Sequence, residues 1–350
     1  MNKTTENNED NRKEYENFKR FYNTEFSLDS ALNVIGIENF SKREWAFIDN
    51  RGRFDRNFSF STPEVLLEFI RKNIPKSIYV GAVYSEGPNS QIKKSIHQVD
   101  WIKRELIFDL DLTEYDDVRP CACRGKNELC DRCWELIKTA SFWINDTLIE
   151  DFGIKKENII WVFSGRRGVH AWIKEEGPAL LDNVQRTSII DYLTLFKGSG
   201  TEAKLISDPI DLPVNLRVRV NTHIYIPFFR ECSLQQLLKI GLSEERAVFI
   251  MEQRDRYGID HQFLTKYVFL DKFTKDKFNI QNYPTRTHLE ERIILQWGPR
   301  IDAAVSKDIR RILRLPGSVH GDTGKRVRIL DLDELEYFSP LDEDSIHGDY

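Results

Sequence analysis

The chain has 350 residues, of which 40% are hydrophobic and 31% charged, and carries a net charge of −5. Its length allows one large domain, or a main domain with an insert, around a sizeable core, and no segment approaches the roughly 20 apolar residues that a membrane-crossing helix needs. The first ten residues are polar and acidic, unlike the basic start and apolar run of a secretory signal, so the chain reads as intracellular and without membrane contact.

From the N-terminus, Tyr15–Leu32 has aromatic and apolar residues at helical spacing and predicts one or two amphipathic helices. Lys76–Tyr84, Glu105–Leu112 and Ile159–Phe163 are rich in branched and aromatic residues between turn formers and predict strands, with a helix over Leu136–Phe152 between the last two. Ser164–Gly168 links Ile159–Phe163 to Val169–Ile173 as a hairpin. From Asp182 to Arg292, longer amphipathic runs such as Ser233–Gln253 and His261–Lys277 predict a mainly helical insert. The chain returns at Gly298–Asp302, with a helix expected through Ile309, Ile312 and Leu313, a break at Pro316–Gly317 and a short strand over Val327–Leu330. The expected architecture is a mixed α/β core of residues 1–181 and 293–350, with residues 182–292 as a helical subdomain.

In Glu105–Leu112, residues two apart share a strand face, so Asp109 and Asp111 point one way while Phe108, Leu110 and Leu112 point the other. Neighbouring carboxylates repel unless cations compensate, which suits divalent metals able to support nucleotidyl transfer. Alternating Asp on a strand is, equally, what a solvated face shows. Glu114, Asp116 and Asp117 lie beyond the strand and decorate a turn.

The link Ser164-Gly165-Arg166-Arg167-Gly168, followed by His170, combines glycine for close backbone approach with a hydroxyl, two guanidiniums and an imidazole, the parts of a triphosphate cradle. It lacks the Gly-Lys-Ser/Thr of a Walker A loop, which removes the main support for an ATPase. A second loop, Arg314–Gly324, offers Arg314, a Pro–Gly turn, Ser318 and His320 as further donors. An Arg pair on a hairpin tip and a lone His are each common without a ligand, so the two loops gain weight only together.

Cys121, Cys123, Cys130 and Cys133 have the spacing of a tetrahedral four-thiolate zinc site, structural because no open position remains. Cys232 stands apart as a plain thiol. The net negative charge argues against nucleic acid. However, eight acids crowd into the last twenty residues, Asp331–Tyr350, and the remainder of the chain stands at +3. Arg166 and Arg167, with Arg310, Arg311, Arg314, Lys325, Arg326 and Arg328, read as a local anion site.

Taken in order, REWAF at Arg43–Phe47, GAVYS at Gly81–Ser85, ELIFDLDLTEYDDVR, the cysteines ending in Cys133–Trp134, EDFG, SGRRGVHAW and RLPGSVH resemble the catalytic small subunit of archaeo-eukaryotic DNA primase. The resemblance spans Arg43 to Gly324, with a poorly matched stretch across the helical insert. GAVYS, YDDVR and SGRRGVH are similar to the eukaryotic form, and RLPGSVHG to the archaeal one. The resemblance implies a primase core unlike right-hand polymerases, with Asp109, Asp111 and Asp302 (in PRIDAAVS) as catalytic acids holding two Mg2+ or Mn2+ ions. It places Glu44 and Arg56 in the active site, and Ser164, Gly165, Arg166, Arg167, His170, Arg311, Arg314, Ser318 and His320 around the nucleotide.

The activity implied is DNA-templated synthesis of short RNA primers from NTPs in DNA replication. Single-stranded DNA is the template, a primase large subunit the partner, and, in a eukaryote, a polymerase α complex (the primosome) in the nucleus; an archaeal protein would be cytoplasmic. Two alternatives stand beside it: a primase-polymerase that takes dNTPs for repriming or lesion bypass, and a non-catalytic, zinc-stabilised nucleic-acid-binding module. Three departures bear on nucleotide binding: Asp322 where lysine is frequent, Arg314 in place of lysine, and Tyr79 near the ribose where an acid is frequent.

Overall fold

The branched and aromatic runs form strands close to where the sequence predicts them. In the computed structural model, which describes residues 3–89, 96–125, 128–198, 200–270, 274–275, 280 and 283–348, these are β1 (Arg43–Ile48), β2 (Phe54–Phe58), β3 (Ser77–Tyr84), β4 (Trp101–Lys103), β5 (Leu106–Asp111), β6 (Ile159–Phe163) and β7 (Gly168–Ile173). Two short strands, β8 (Phe196–Lys197) and β9 (Lys204–Leu205), pair in the insert, and β10 (Leu313–Arg314) and β11 (Ile329–Leu330) follow. One sheet has the order β10-β3-β1-β2, with β4 also on β3, and a second has the order β11-β6-β7-β5. The hairpin β6–β7 runs in the expected register, Phe163 opposite Val169 and Ile159 opposite Ile173.

Two helices at the N-terminus, α1 (Lys3–Thr24) and α2 (Leu28–Ile35), meet at Ser27, whose hydroxyl caps α2 by accepting from the Ser30 N–H. Helix α3 (Pro63–Asn73) starts with Thr62 as cap, Pro63 in the first turn and Glu64 beside it, and ends with Arg71 and Lys72, the charge order its dipole favours. These helices and both sheets share one core, in which Phe47, Phe58, Phe60 and Phe69 stack and tilt at centroid distances of 4.9–6.4 Å. Such aromatic pairs contribute about 0.5–1.5 kcal/mol each beyond their burial.

The chain divides into two compact units, one of Met1–Asp109, Lys155–Ile189 and Asp302–Tyr350, the other of Leu110–Ile154 and Ile190–Ile301. The cysteine segment and the long helix α4 (Asp131–Phe152) thus group with most of the insert, the first unit holding the two sheets. Inside the second unit, Arg219 makes ion pairs with Asp151 at 2.5 Å and Glu150 at 2.9 Å, and Trp297 donates to Thr139 at 3.1 Å.

Two expectations are corrected. The run Ser233–Gln253 is two helices, Leu234–Lys239 and Glu244–Tyr257, because Gly241 adopts φ +96° and Ser243 caps a fresh start. The helix expected through Ile309, Ile312 and Leu313 is instead confined to Ala303–Lys307. Asp308 turns the chain by accepting from the Arg310 N–H at 2.9 Å, and Leu313 joins β3 opposite Val80. Of the run His261–Lys277, residues 271–273 and 276–277 lie outside the described residues.

Candidate active site

Strand β5 presents Asp109 and Asp111 half-buried on one face and Phe108 and Leu110 fully buried on the other, with buried Leu112 opening the turn that follows. Asp302, remote in sequence, reaches this strand by its backbone: its N–H donates to the Asp109 carbonyl at 2.9 Å. Ser306 fastens the same junction, donating to the Asp302 carbonyl at 2.9 Å and accepting from the Asp109 N–H at 3.3 Å. On β7, which neighbours β5, buried His170 lies with Nε2 3.5 Å from Asp109 Oδ1.

The two candidate phosphate loops are brought together. Arg314 donates to the Ser164 carbonyl at 3.1 Å, and Thr323 donates to the Gly165 carbonyl at 2.7 Å. Gly165, at φ +83°, has no room for a side chain, since a Cβ would stand 2.7 Å from that of His320. Arg166 faces Asp322 at 3.5 Å. Burial, followed by the charges of Arg314, Arg166 and Arg167, pulls the His320 pKa down to about 3, so the imidazole is neutral. His320 Nδ1 accepts from the Asp322 N–H at 3.2 Å, as a neutral ring can. Arg314 lies over the ring of Tyr79, its partner across β10 and β3, with Cζ 5.5 Å from the ring centroid. Ser318 is fully buried, and its hydroxyl donates to the Leu315 carbonyl at 2.6 Å, closing the Pro316–Gly317 turn. Arg311 is exposed, with its carbonyl accepting from Arg104 at 3.2 Å.

Glu44 and Arg56 pair through two hydrogen bonds of 2.8 and 3.0 Å, and Glu44 is fully buried. β1 bulges against β3 between Arg43 and Trp45, at Glu44, and bulges re-aim side chains. Gly81 on β3 makes space for the pair, as a Cβ there would stand 2.8 Å from Glu44 Oε2.

In the second unit, the sulphurs of Cys121, Cys123, Cys130 and Cys133 lie within 4.8 Å of one another. That is close to the about 3.8 Å separation of four thiolates around one zinc, so the residues fit a tetrahedral ion. Arg124 donates to the carbonyls of Cys121 and Cys123, and Arg119 to those of Gly125 and Glu128, which fixes the loop around the thiols. Burial pushes the Cys123 thiol up to about 11 and Cys133 further, so a cation would be needed to hold these two as thiolates. Among the described residues, these cysteines are the group gathered closely enough to hold a metal.

A family model described as DNA primase small subunit matches residues 108–332. The chain belongs to the DNA primase small subunit family. It is similar to the DNA primase small subunits of Schizosaccharomyces pombe, at 29% identity over 88% of this chain and 70% of the relative, and Saccharomyces cerevisiae, at 26% over 81% and 71%. It is also similar to the DNA primase small subunit PriS of Methanosarcina barkeri, at 26% over 94% and 85%. Relatives from both eukaryotes and archaea agree with the mixed character of the motifs. The four thiols are placed so that they could hold a structural metal, and among the described residues no helix is long and apolar enough to cross a membrane.

Sequence reasoning missed several residues that build this site. Ser306 lies four residues after Asp302, a helical spacing visible in PRIDAAVS, and Thr323 is the hydroxyl that joins the loops. Arg43, Arg104 and Glu105 form a buried ion network, with Arg43 and Glu105 2.7 Å apart, for which the sequence carried no signal beyond three charges in strand-like runs.

Proposed function

We propose that this protein is the catalytic subunit of a DNA primase, which makes short RNA primers from NTPs on a single-stranded DNA template. The observation that supports this reading is the joining of the Ser164–His170 and Arg314–Thr323 loops, with His170 Nε2 3.5 Å from the Asp109 carboxylate.

The family resemblance, rather than a gathered set of oxygens, makes Asp109, Asp111 and Asp302 the acids that would hold two Mg2+ or Mn2+ ions. Carboxylate oxygens are the donors such ions take, although here Asp302 Oδ1 accepts from the Ala304 and Val305 N–H and Asp111 Oδ1 from the Thr113 N–H. When bound, such ions supply activation of an attacking hydroxyl and stabilisation of the leaving oxygen. The side chains do the rest. Arg166, Arg167 and Arg314 bind the triphosphate, with neutral His320 as a further hydrogen-bonding group. His170 orients Asp109, Ser306 locks Asp109 to Asp302, and Glu44 holds Arg56 toward the site. Preorganised positive charge where phosphate charge develops is the main source of rate enhancement in such transfers. The cysteine site would hold one structural Zn2+ outside the chemistry. A primase large subunit, and in a eukaryote a polymerase α complex in the nucleus, are the partners this reading implies.

Tyr79 favours a second reading, a primase-polymerase using dNTPs: the family resemblance sets this position near the ribose, and a ring there leaves less room for a 2′-hydroxyl. Incorporation of labelled NTPs and dNTPs on poly(dT), with and without a preformed primer, tests both. Short RNA products are expected. A strong preference for dNTPs would favour the second reading, and no products even from a preformed primer would contradict both.

A further inference from the structure

The positive focus of the joined loops already contains a carboxylate. Asp322 Oδ2 lies 3.5 Å from Arg166 Nη1, and its side chain is 78% exposed. The turn that carries it is pinned: the Asp322 N–H donates to His320 Nδ1 at 3.2 Å, the Gly324 N–H to the His320 carbonyl at 2.8 Å, and the Thr323 hydroxyl to the Gly165 carbonyl at 2.7 Å. Asp322 is therefore held next to Arg166 by its backbone, while its carboxylate remains in solvent. An ion pair of that length and exposure is weak and easily exchanged for a stronger anion. A triphosphate carries more charge than one carboxylate and can engage a guanidinium through two oxygens.

We propose that Asp322 is a built-in counter-ion of the nucleotide site: it occupies Arg166 when the site is empty, gives way to the incoming triphosphate, and returns as pyrophosphate leaves. The inference rests on the reading of the two loops as the nucleotide site. It makes Asp322 a residue that sets affinity for both substrate and leaving pyrophosphate without touching the reacting atoms. The same charge that weakens binding of the NTP speeds clearance of the product, because the Asp322 carboxylate competes with pyrophosphate for Arg166.

The test uses the full chain with three variants, Asp322→Asn, Asp322→Lys and Arg166→Ala. Two quantities are read: the equilibrium binding of ATP without template, and, in turnover, KM and kcat for the NTP with the inhibition constant for inorganic pyrophosphate. Asp322 is exposed, and unfolding temperatures check that each variant is folded. Asp322→Asn is expected to tighten ATP binding about three-fold and to lower the NTP KM and the pyrophosphate inhibition constant together, with Asp322→Lys lowering them about ten-fold. These gains should shrink as salt is raised. Unchanged or weaker ATP binding in both Asp322 variants, with Arg166→Ala weakening it strongly, would overturn the counter-ion role and leave the nucleotide site standing. Binding unaffected by Arg166→Ala as well would overturn the reading of the site itself.

Discussion

At Gly81 one hydrogen atom in place of a methyl group leaves room for the Glu44 carboxylate, and through it for Arg56. Gly81→Ala would press on Glu44 Oε2 at 2.8 Å and on Glu44 Cβ at 3.0 Å. Because Glu44 is buried and doubly bonded to Arg56, the variant should lose about 1–3 kcal/mol, read by urea unfolding. Unchanged stability would mean that the pair moves freely. Glu105 makes a pH prediction. Burial works to raise its pKa, but Arg43 and Arg104 outweigh this and hold it at about 2, below its ordinary 4.5. A depressed carboxyl stabilises the fold above its unfolded pKa, and that stabilisation drains away as pH falls from about 4.5 toward 2. Glu105→Gln leaves Arg43 and Arg104 without their shared partner and should cost about 3–5 kcal/mol at neutral pH. It should also flatten the loss of stability below pH 4.5, and an acid limb as steep as that of the wild type would assign the effect to other carboxyls.

At the scale of elements, the β6–β7 hairpin was legible because its branched strands and glycine-bearing link each specify the same turn. The cysteine segment was legible from spacing alone, since few other arrangements bring four thiols within 4.8 Å. Two-residue β10 was not, because Ile312 and Leu313 fit a helix as well as a strand and pairing with β3 decides. Asp302 could not be joined to Asp109 by any local pattern; a backbone hydrogen bond between distant segments makes that link. Gly165→Ala tests the hairpin link: an alanine would be strained at φ +83° and collide with His320, shifting the loop and raising the NTP KM roughly ten-fold. An unaltered KM would place the nucleotide elsewhere. Cys133→Ser should release zinc, read by metal analysis, and lower the thermal unfolding temperature. A variant that keeps its metal and its stability would show that the thiols do not ligate.

For the whole molecule, part of the acidic C-terminal segment faces neighbouring bases. Glu334 and Glu343 pair with Arg328, and Asp333 lies 4.0 Å from Lys156. The same segment returns to the second loop, where Ser345 donates to the Thr323 carbonyl at 2.9 Å and the Ile346 N–H to that of Gly324 at 2.9 Å. The acidic end therefore braces the loop that holds His320 and Asp322. Family membership gives the chain its place among primase small subunits, and the proposed chemistry depends on the acids of β5 and Asp302. The most direct measurement is incorporation of labelled NTPs on poly(dT) by wild type and by Asp109→Asn with Asp302→Asn, with zinc content and unfolding temperature followed in both. The expected result is short RNA from the wild type and none from the variant, which keeps its zinc and its fold. RNA synthesis retained by a folded, zinc-loaded variant would contradict the assignment of these carboxylates as the catalytic acids.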